Sequence, residues 1–207
     1  MGRIGEKMVS EIYSAGLISQ SFWFLEFKRI VKLKSEGKTE DEIKALCLEQ
    51  NLFGAAKEYR AKRMLGYIMT RVKTLDETMI DLFCTSDLET QKLINLVAIL
   101  RCDRLFFEFV YEVYREKVLL GVPVIEDADV NIFFNGKEAQ DDDVASWTDA
   151  TMKKLKNCYL NFMTDANLLT IINKEKRITP PVLDIALERY LTATGAGPIA
   201  KAIAGVN

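Results

Sequence analysis

The sequence predicts a mostly α-helical protein carrying one small β-hairpin. Three observations predict it. Apolar residues recur at helical spacing through most of the chain, S/T-x-x-E start signals appear three times, and a single short run combines strand-forming residues with turn chemistry on its flank. The start signals are Thr39…Glu42, Thr74…Glu77 and Ser86…Glu89. In each, hydroxyl and carboxylate would satisfy the first amides of a helix reciprocally.

Taken in order, helices are expected near 21–35, 39–50, 55–72, 75–84, 87–119, 147–165 and 181–191, with a short further one around 127–138. In the first, Trp23 with Phe22 and Phe24 reads as packing, and so does Trp147 later on, because aromatics supply much of a core's burial. The second opens on a start signal and ends at the turn Asn51-Leu-Phe-Gly54. On the third, Ala61, Leu65, Ile68 and Val72 form one apolar stripe. The helix from Asp87 is apolar around much of its circumference, through Leu93, Leu96, Val97, Leu100, Phe106, Phe109, Val110 and Val113. It is expected to be the central core helix. Met152, Leu155, Tyr159 and Phe162 form the buried stripe of the helix after Trp147. The hairpin is Leu168-Leu-Thr-Ile-Ile-Asn173, the charged turn Lys174-Glu-Lys-Arg177, then Ile178-Thr-Pro-Pro181.

Gly121, Pro123 and the acidic run Asp141–Asp143 mark residues 121–145 as a connecting segment. The expected organisation is therefore an N-terminal helical domain over 1–120 with a helix-turn-helix, the connection, and a winged-helix-like unit with a tail over 146–207. The Gly/Ala-rich tail after Leu191 is expected to be loosely held.

At 207 residues and 49% hydrophobic composition the chain buries a sizeable core. Charged residues make up 28% but cancel to a net of −2, so attraction to nucleic acid has to come from local clusters. Histidine is absent, which removes histidine triads, most zinc sites and the commonest general base. No paired carboxylates stand out either. The expectation is a protein that is not an enzyme and takes no cofactor, metal or small-molecule substrate. Cys47, Cys84, Cys102 and Cys158 form no CxxC and read as buried reduced thiols of a cytoplasmic protein. Residues 1–7 lack an apolar signal core. The most apolar stretch, Leu93–Leu100, is closed by Lys92 and Arg101, far short of the roughly 18 residues of a membrane span.

Two motif matches fail on context. Gly195-Ala-Gly-Pro-Ile-Ala200 fits a dinucleotide-binding string but follows a helix and leaves no room for a βαβ unit. Asp127, Asp129, Asn131 and Glu138 fall at calcium-loop positions, yet Ile132 occupies the turn that needs glycine.

The clusters that could carry function are basic. Residues 39–72 have helix-turn-helix spacing. Lys57, Arg60, Arg63, Tyr67 and Arg71 form a stripe separate from the core stripe, Lys62 adds a further cation, and Glu58 is the helix's one acid. Such a face suits phosphates, although charge stripes on solvated helices are common. A second set follows at Lys153, Lys154 and Asn157, beside Asn161, with Lys174, Lys176 and Arg177 at the hairpin, where a wing would meet the phosphate backbone. Loop tips are ordinarily charged too. Double-stranded DNA is the expected partner. A protein–protein scaffold is the alternative, and RNA ranks below both because Tyr59 and Tyr67 are the only exposed aromatics evident.

Several segments together resemble a known family. Phe22 to Lys34 leading into Thr39-Glu-Asp-Glu-Ile43, then Asn51-Leu-Phe-Gly-Ala-Ala-Lys57 with Arg60 and Arg63, is similar to the N-terminal part of BrxA proteins of BREX phage-defence systems. Thr90 to Leu100, with Phe109, Glu112 and Lys117, resembles that family's central helix. Trp147-Thr-Asp-Ala-Thr151 with Lys154 and Leu155, then Leu168-Leu169 and Pro180-Pro181, resembles its C-terminal segment. The resemblance spans roughly residues 13 to 191. It implies a small all-α protein likened in fold to the antitermination factor NusB. It further implies double-stranded DNA binding without catalysis, beside other BREX components that include a methyltransferase and ATPases. The NusB likeness is what brings RNA into consideration.

Overall fold

The computed structural model describes residues 12–206; the reading of residues 1–7 lies outside them. A 3-10 turn at Gly16–Ser19 leads to Trp23, whose left-handed backbone (φ 45°) turns the chain into α1 (Phe24–Ser35). Thr39 then caps α2 (Glu40–Glu49): its hydroxyl accepts from the Glu42 amide, and the Glu42 carboxylate accepts from the Thr39 amide. After the turn comes α3 (Glu58–Val72). The other two start signals are displaced. Asp76 caps α4 (Glu77–Thr85) in place of Thr74, and Asp87 caps α5 (Leu88–Cys102) in place of Ser86. A carboxylate one or two residues after the hydroxyl takes the cap because negative charge is favoured at a helix's N-terminal end.

The long helix expected over 87–119 is broken at Asp103, which adopts extended backbone and caps α6 (Arg104–Phe109) through the Phe106 amide at 2.8 Å. A π-helical turn at Val110–Tyr114 continues α6 into α7 (Arg115–Leu119). The first part keeps the central role: every residue of α5 from Leu93 to Leu100 is buried. α1, α3, α4, α6 and α10 (Asp149–Asp165) pack against it.

Within residues 121–145, expected as a connection, the short helix expected around 127–138 is present and the flanking residues are structured as well. They form β1 (Val124–Ile125), α8 (Asp127–Glu138) and α9 (Asp142–Ala145), and bury Ile125, Val130, Phe133, Phe134 and Val144 in the same core as the other helices. The calcium-like spacing therefore lies along a helix. Glu108 ties this part down. Its carboxylate accepts from Lys137 Nζ at 2.5 Å, Arg104 Nε at 2.7 Å and the Tyr13 hydroxyl at 2.7 Å. Burial would raise its pKa, but those three donors together hold it below the usual carboxylate value.

The hairpin exists as β2 (Leu169–Ile172) and β3 (Glu175–Ile178), extended by β1 into an antiparallel sheet of order β1-β3-β2. Its turn is Asn173-Lys174, both at positive φ, as a two-residue hairpin whose twist matches its strands requires. Glu175, Lys176 and Arg177 thus belong to a strand, not to the expected turn. α11 (Ile185–Ala193) follows.

The tail is not loose. α12 (Gly197–Ala204) buries Ile199, Ala200, Ala202 and Ile203 against α11 and the helix of residues 110–119, and Arg115 Nε donates to Val206 O at 2.8 Å. Gly205 closes α12 at φ 67°, and a Cβ there would sit 2.3 Å from Val118 Cγ1. Gly205→Ala is expected to cost about 2–4 kcal/mol, combining left-handed strain with overpacking. Chemical denaturation checks it; an unchanged midpoint would show that the tail is not docked as described.

All four cysteines are free; Cys47 is buried as expected, Cys102 and Cys158 are half-buried, and Cys84 is exposed because α4 turns Met79, Ile80 and Phe83 inward instead. Among the described residues no helix is long and apolar enough to cross a membrane.

Asp103 has a pH signature. It is buried, and burial pushes its carboxyl up to about 6 from 3.8, against the opposing hydrogen bonds of the Phe106 amide and the Tyr159 hydroxyl. The folded state therefore holds the proton more tightly than the unfolded chain. Its contribution to stability falls as pH rises from about 4 to about 6, and the penalty is complete above that. Asparagine caps helices well and cannot ionise. Asp103→Asn is expected to gain up to about 3 kcal/mol relative to the parent above pH 6 and nothing below pH 4. Paired urea titrations across that range test this; a pH-independent difference would contradict it.

Candidate nucleic-acid interface

The α2–α3 turn is built by its own residues. Asn51 (φ 44°) and Gly54 (φ 61°) take left-handed backbone, and the Asn51 carboxamide both accepts from Ala55 N at 2.9 Å and donates to Ala55 O at 3.0 Å. Arg29 of α1 donates to Leu52 O at 2.6 Å, which fixes the turn against the first helix. Sequence reading missed Arg29, since nothing in its spacing distinguishes it from a solvated cation.

Lys57 is the N-cap of α3 and offers no side-chain acceptor, so the opening amides of the helix have no side-chain cap. Open amides and the positive end of the helix dipole attract anions. Lys57, Arg60, Lys62 and Arg63 are all exposed around this end, with no ion pair among the described residues. Tyr67 is half-buried: its ring stacks on Trp23, with centres 6.2 Å apart, and the Arg63 guanidinium lies 5.8 Å from its centre. Tyr67 therefore positions Arg63 rather than offering a free face.

Arg71 corrects the expected stripe. It is 1% exposed and points into the core. Its guanidinium donates to Phe22 O at 2.9 Å, Ser21 O at 2.8 Å and Gln20 Oε1 at 2.9 Å, between the rings of Trp23 and Phe162. At about 100° per residue, position 71 falls only about 60° from Ile68, on the margin of the apolar stripe. Burial lowers its pKa to about 10, so it remains a cation at neutral pH. It anchors the chain before α1 and makes no surface for phosphate.

The C-terminal set is dispersed in the same way. Lys153 and Lys154 stand exposed on α10, but Lys153 and Asn157 line a groove against α8 that also holds Asp127, Glu138 and Asp149. Of the three hairpin cations, Lys174 alone has no ion pair among the described residues. Lys176 Nζ pairs with Asp127 at 2.6 Å, pinning the sheet to α8, and Arg177 pairs with Glu175 of its own strand at 3.0 Å. The carboxylate partners were invisible in the linear spacing, because Asp127 comes from a segment read as a connection.

The sequence model of a family described as BrxA matches residues 11–195. A "BREX protein BrxA" from Bacillus cereus (strain H3081.97) is 37% identical over 191 residues, which span 92% of this chain and 96% of that protein. A crystal structure of an uncharacterized protein from Magnetospirillum magneticum superposes with a TM-score of 0.78 at 18% identity, covering 92% of this chain and 97% of that one. That likeness is one of fold.

Proposed function

The chain belongs to the BrxA family and so to BREX phage defence, and from that premise we propose that it is a non-catalytic accessory protein that grips double-stranded DNA. The observation that carries the proposal is the N-terminal end of α3. Four exposed cations, Lys57, Arg60, Lys62 and Arg63, surround a helix terminus without a side-chain cap. The turn from α2 to α3 presents this end as a helix-turn-helix presents its second helix. Contacts of this kind go to phosphate and give register with little sequence selectivity. Lys153, Lys154 and Lys174 supply secondary contacts on the surface that Lys176 and Arg177 were expected to share.

Amide hydrogen exchange on a duplex-bound sample tests the placement. Residues 57–63 gain protection on DNA addition, with a smaller gain at 153–154 and at the hairpin turn. Protection confined to other elements would remove α3 from the interface. A second reading, docking of other BREX components, is supported by the mixed-charge groove between α8 and α10.

A further inference from the structure

The face of α3 turned away from the core is bare in its middle and carries a free aromatic ring near its start. We propose that this face lies in the major groove of the duplex, with Tyr59 touching base edges and Gly66 setting how closely the helix backbone approaches. The inference rests on the reading that α3 holds DNA. To the phosphate contacts, which fix register, it adds a contact with the bases.

Tyr59, Arg63, Gly66 and Thr70 form one line along α3, and all four are exposed. At about 100° per residue they fall within about 60° of one another, opposite the stripe of Ala61, Leu65, Ile68 and Val72 that α3 buries. Lys62 flanks the line on one side and Arg60 on the other. Glycine inside a helix is less stable than alanine, because it loses more backbone freedom on folding. Nothing within the protein calls for one at position 66: its backbone is not left-handed, and a Cβ there would meet no atom within 4 Å. The Thr70 hydroxyl folds back onto the helix and donates to Gly66 O at 3.0 Å, which keeps the surface around the glycine low. Bare backbone on an exposed face permits close approach from outside.

Tyr59 is 68% exposed and has no hydrogen bond or ring contact among the described residues. It stands in the first turn of α3, the part of a second helix that reaches base edges when phosphates hold its flanks. Its ring can rest on a thymine methyl and its hydroxyl can donate or accept. Charge and shape select the occupant. Lys57, Arg60, Lys62 and Arg63 border the line, while Glu58, the one acid of α3, lies off it toward the apolar stripe. The major groove of B-form DNA, about 12 Å wide, admits a helix, whereas the minor groove at about 6 Å does not. The major groove of an RNA duplex is too deep and narrow for side chains to read.

Fluorescence anisotropy of the full chain with a labelled DNA duplex, and with an RNA duplex of the same sequence, tests the proposal beside thermal melts. Gly66→Leu raises the melting temperature by about 2 °C, since leucine favours the helix and has room. The same variant lowers affinity for the DNA duplex about tenfold, the size of an overpacked contact. Gly136→Ala is the control: a Cβ at this glycine of α8 also meets no atom within 4 Å, so the variant gains stability and keeps its affinity. Tyr59→Ala lowers affinity about tenfold at an unchanged salt slope, because no charge is lost. The RNA duplex binds more weakly than the DNA. Affinity within about twofold of the parent in either variant overturns the inference and leaves only the phosphate contacts; in both, it leaves this face to a protein partner. Equal binding of the RNA duplex overturns it as well. A parent that binds no duplex at all fails earlier, together with the reading on which the inference rests.

Discussion

Replacing Lys57, Arg60 and Arg63 together by glutamate is expected to lower affinity for duplex DNA at least about 100-fold near physiological salt. Each phosphate contact contributes about 0.9 to the slope of log K against log salt. Losing three lowers the slope by nearly 3, and the new carboxylates add repulsion. The fold is expected to survive. All three side chains are exposed, and among the described residues the one side-chain interaction lost is the Arg63 contact with Tyr67. A thermal melt of the variant separates folding from binding. Reversal of Lys153 and Lys154 is the matched comparison and should act more weakly, since Lys153 already shares a groove with carboxylates. If the α3 variant stayed folded and lost less than about threefold in affinity, the assignment of this helix end would be wrong.

The second large effect is on stability. Arg71→Met is expected to destabilise the protein by about 2–4 kcal/mol, and Arg71→Ala by more because it also leaves a cavity. Two terms oppose each other. The guanidinium satisfies Ser21 O, Phe22 O and Gln20 Oε1, and charge-assisted bonds of this kind contribute roughly 1.5–3 kcal/mol each. Against that, a buried cation is costly, as its lowered pKa shows, and a well-packed apolar replacement recovers part of the desolvation cost. Phe22 O keeps the Asn95 carboxamide as donor at 2.8 Å, so the loss falls chiefly on Ser21 and Gln20. Among molecules that remain folded, the salt slope for DNA should not change, because Arg71 touches no phosphate. A slope reduced by about 1 with stability intact would make it a surface contact after all.

The contrast between Arg71 and Arg63 shows how far the sequence reaches. Both sit on the same helix, and the expected basic stripe runs through both, although position 71 lies at the margin of the apolar stripe. What separates them is the αL turn at Trp23, which brings three acceptors from residues 20–22 onto the Arg71 side. Such non-local partners leave no local signal. The same reason explains Lys176, paired with Asp127 from about fifty residues earlier; β1 was missed because its two residues are too few to show alternation. The core stripes and the places of α1 to α5, α8, α10 and α11 were legible because they depend on spacing; α9, α12 and the division of residues 87–119 into α5, α6 and α7 were not. The break at Asp103 was legible in principle, since an aspartate before an apolar run is a helix-start signal. Unbroken hydrophobicity on both sides concealed it. The connecting segment misled through composition: its acidic residues Glu126 and Asp141 cap α8 and α9, Gly121 and Pro123 lead into β1, and Phe133 and Phe134 go to the core.

On the proposed function, exposed cations at the start of α3 hold duplex phosphates. Salt-titrated fluorescence anisotropy tests it most directly, using labelled duplex DNA, single-stranded DNA and RNA of equal length. Tightest binding to the duplex, with affinity falling steeply as salt rises and a slope that drops by nearly 3 in the Lys57/Arg60/Arg63 variant, is the predicted result. Absence of binding to every nucleic acid at low salt, or a duplex affinity indifferent to salt, would contradict it and leave the α8–α10 groove as the working surface of the protein.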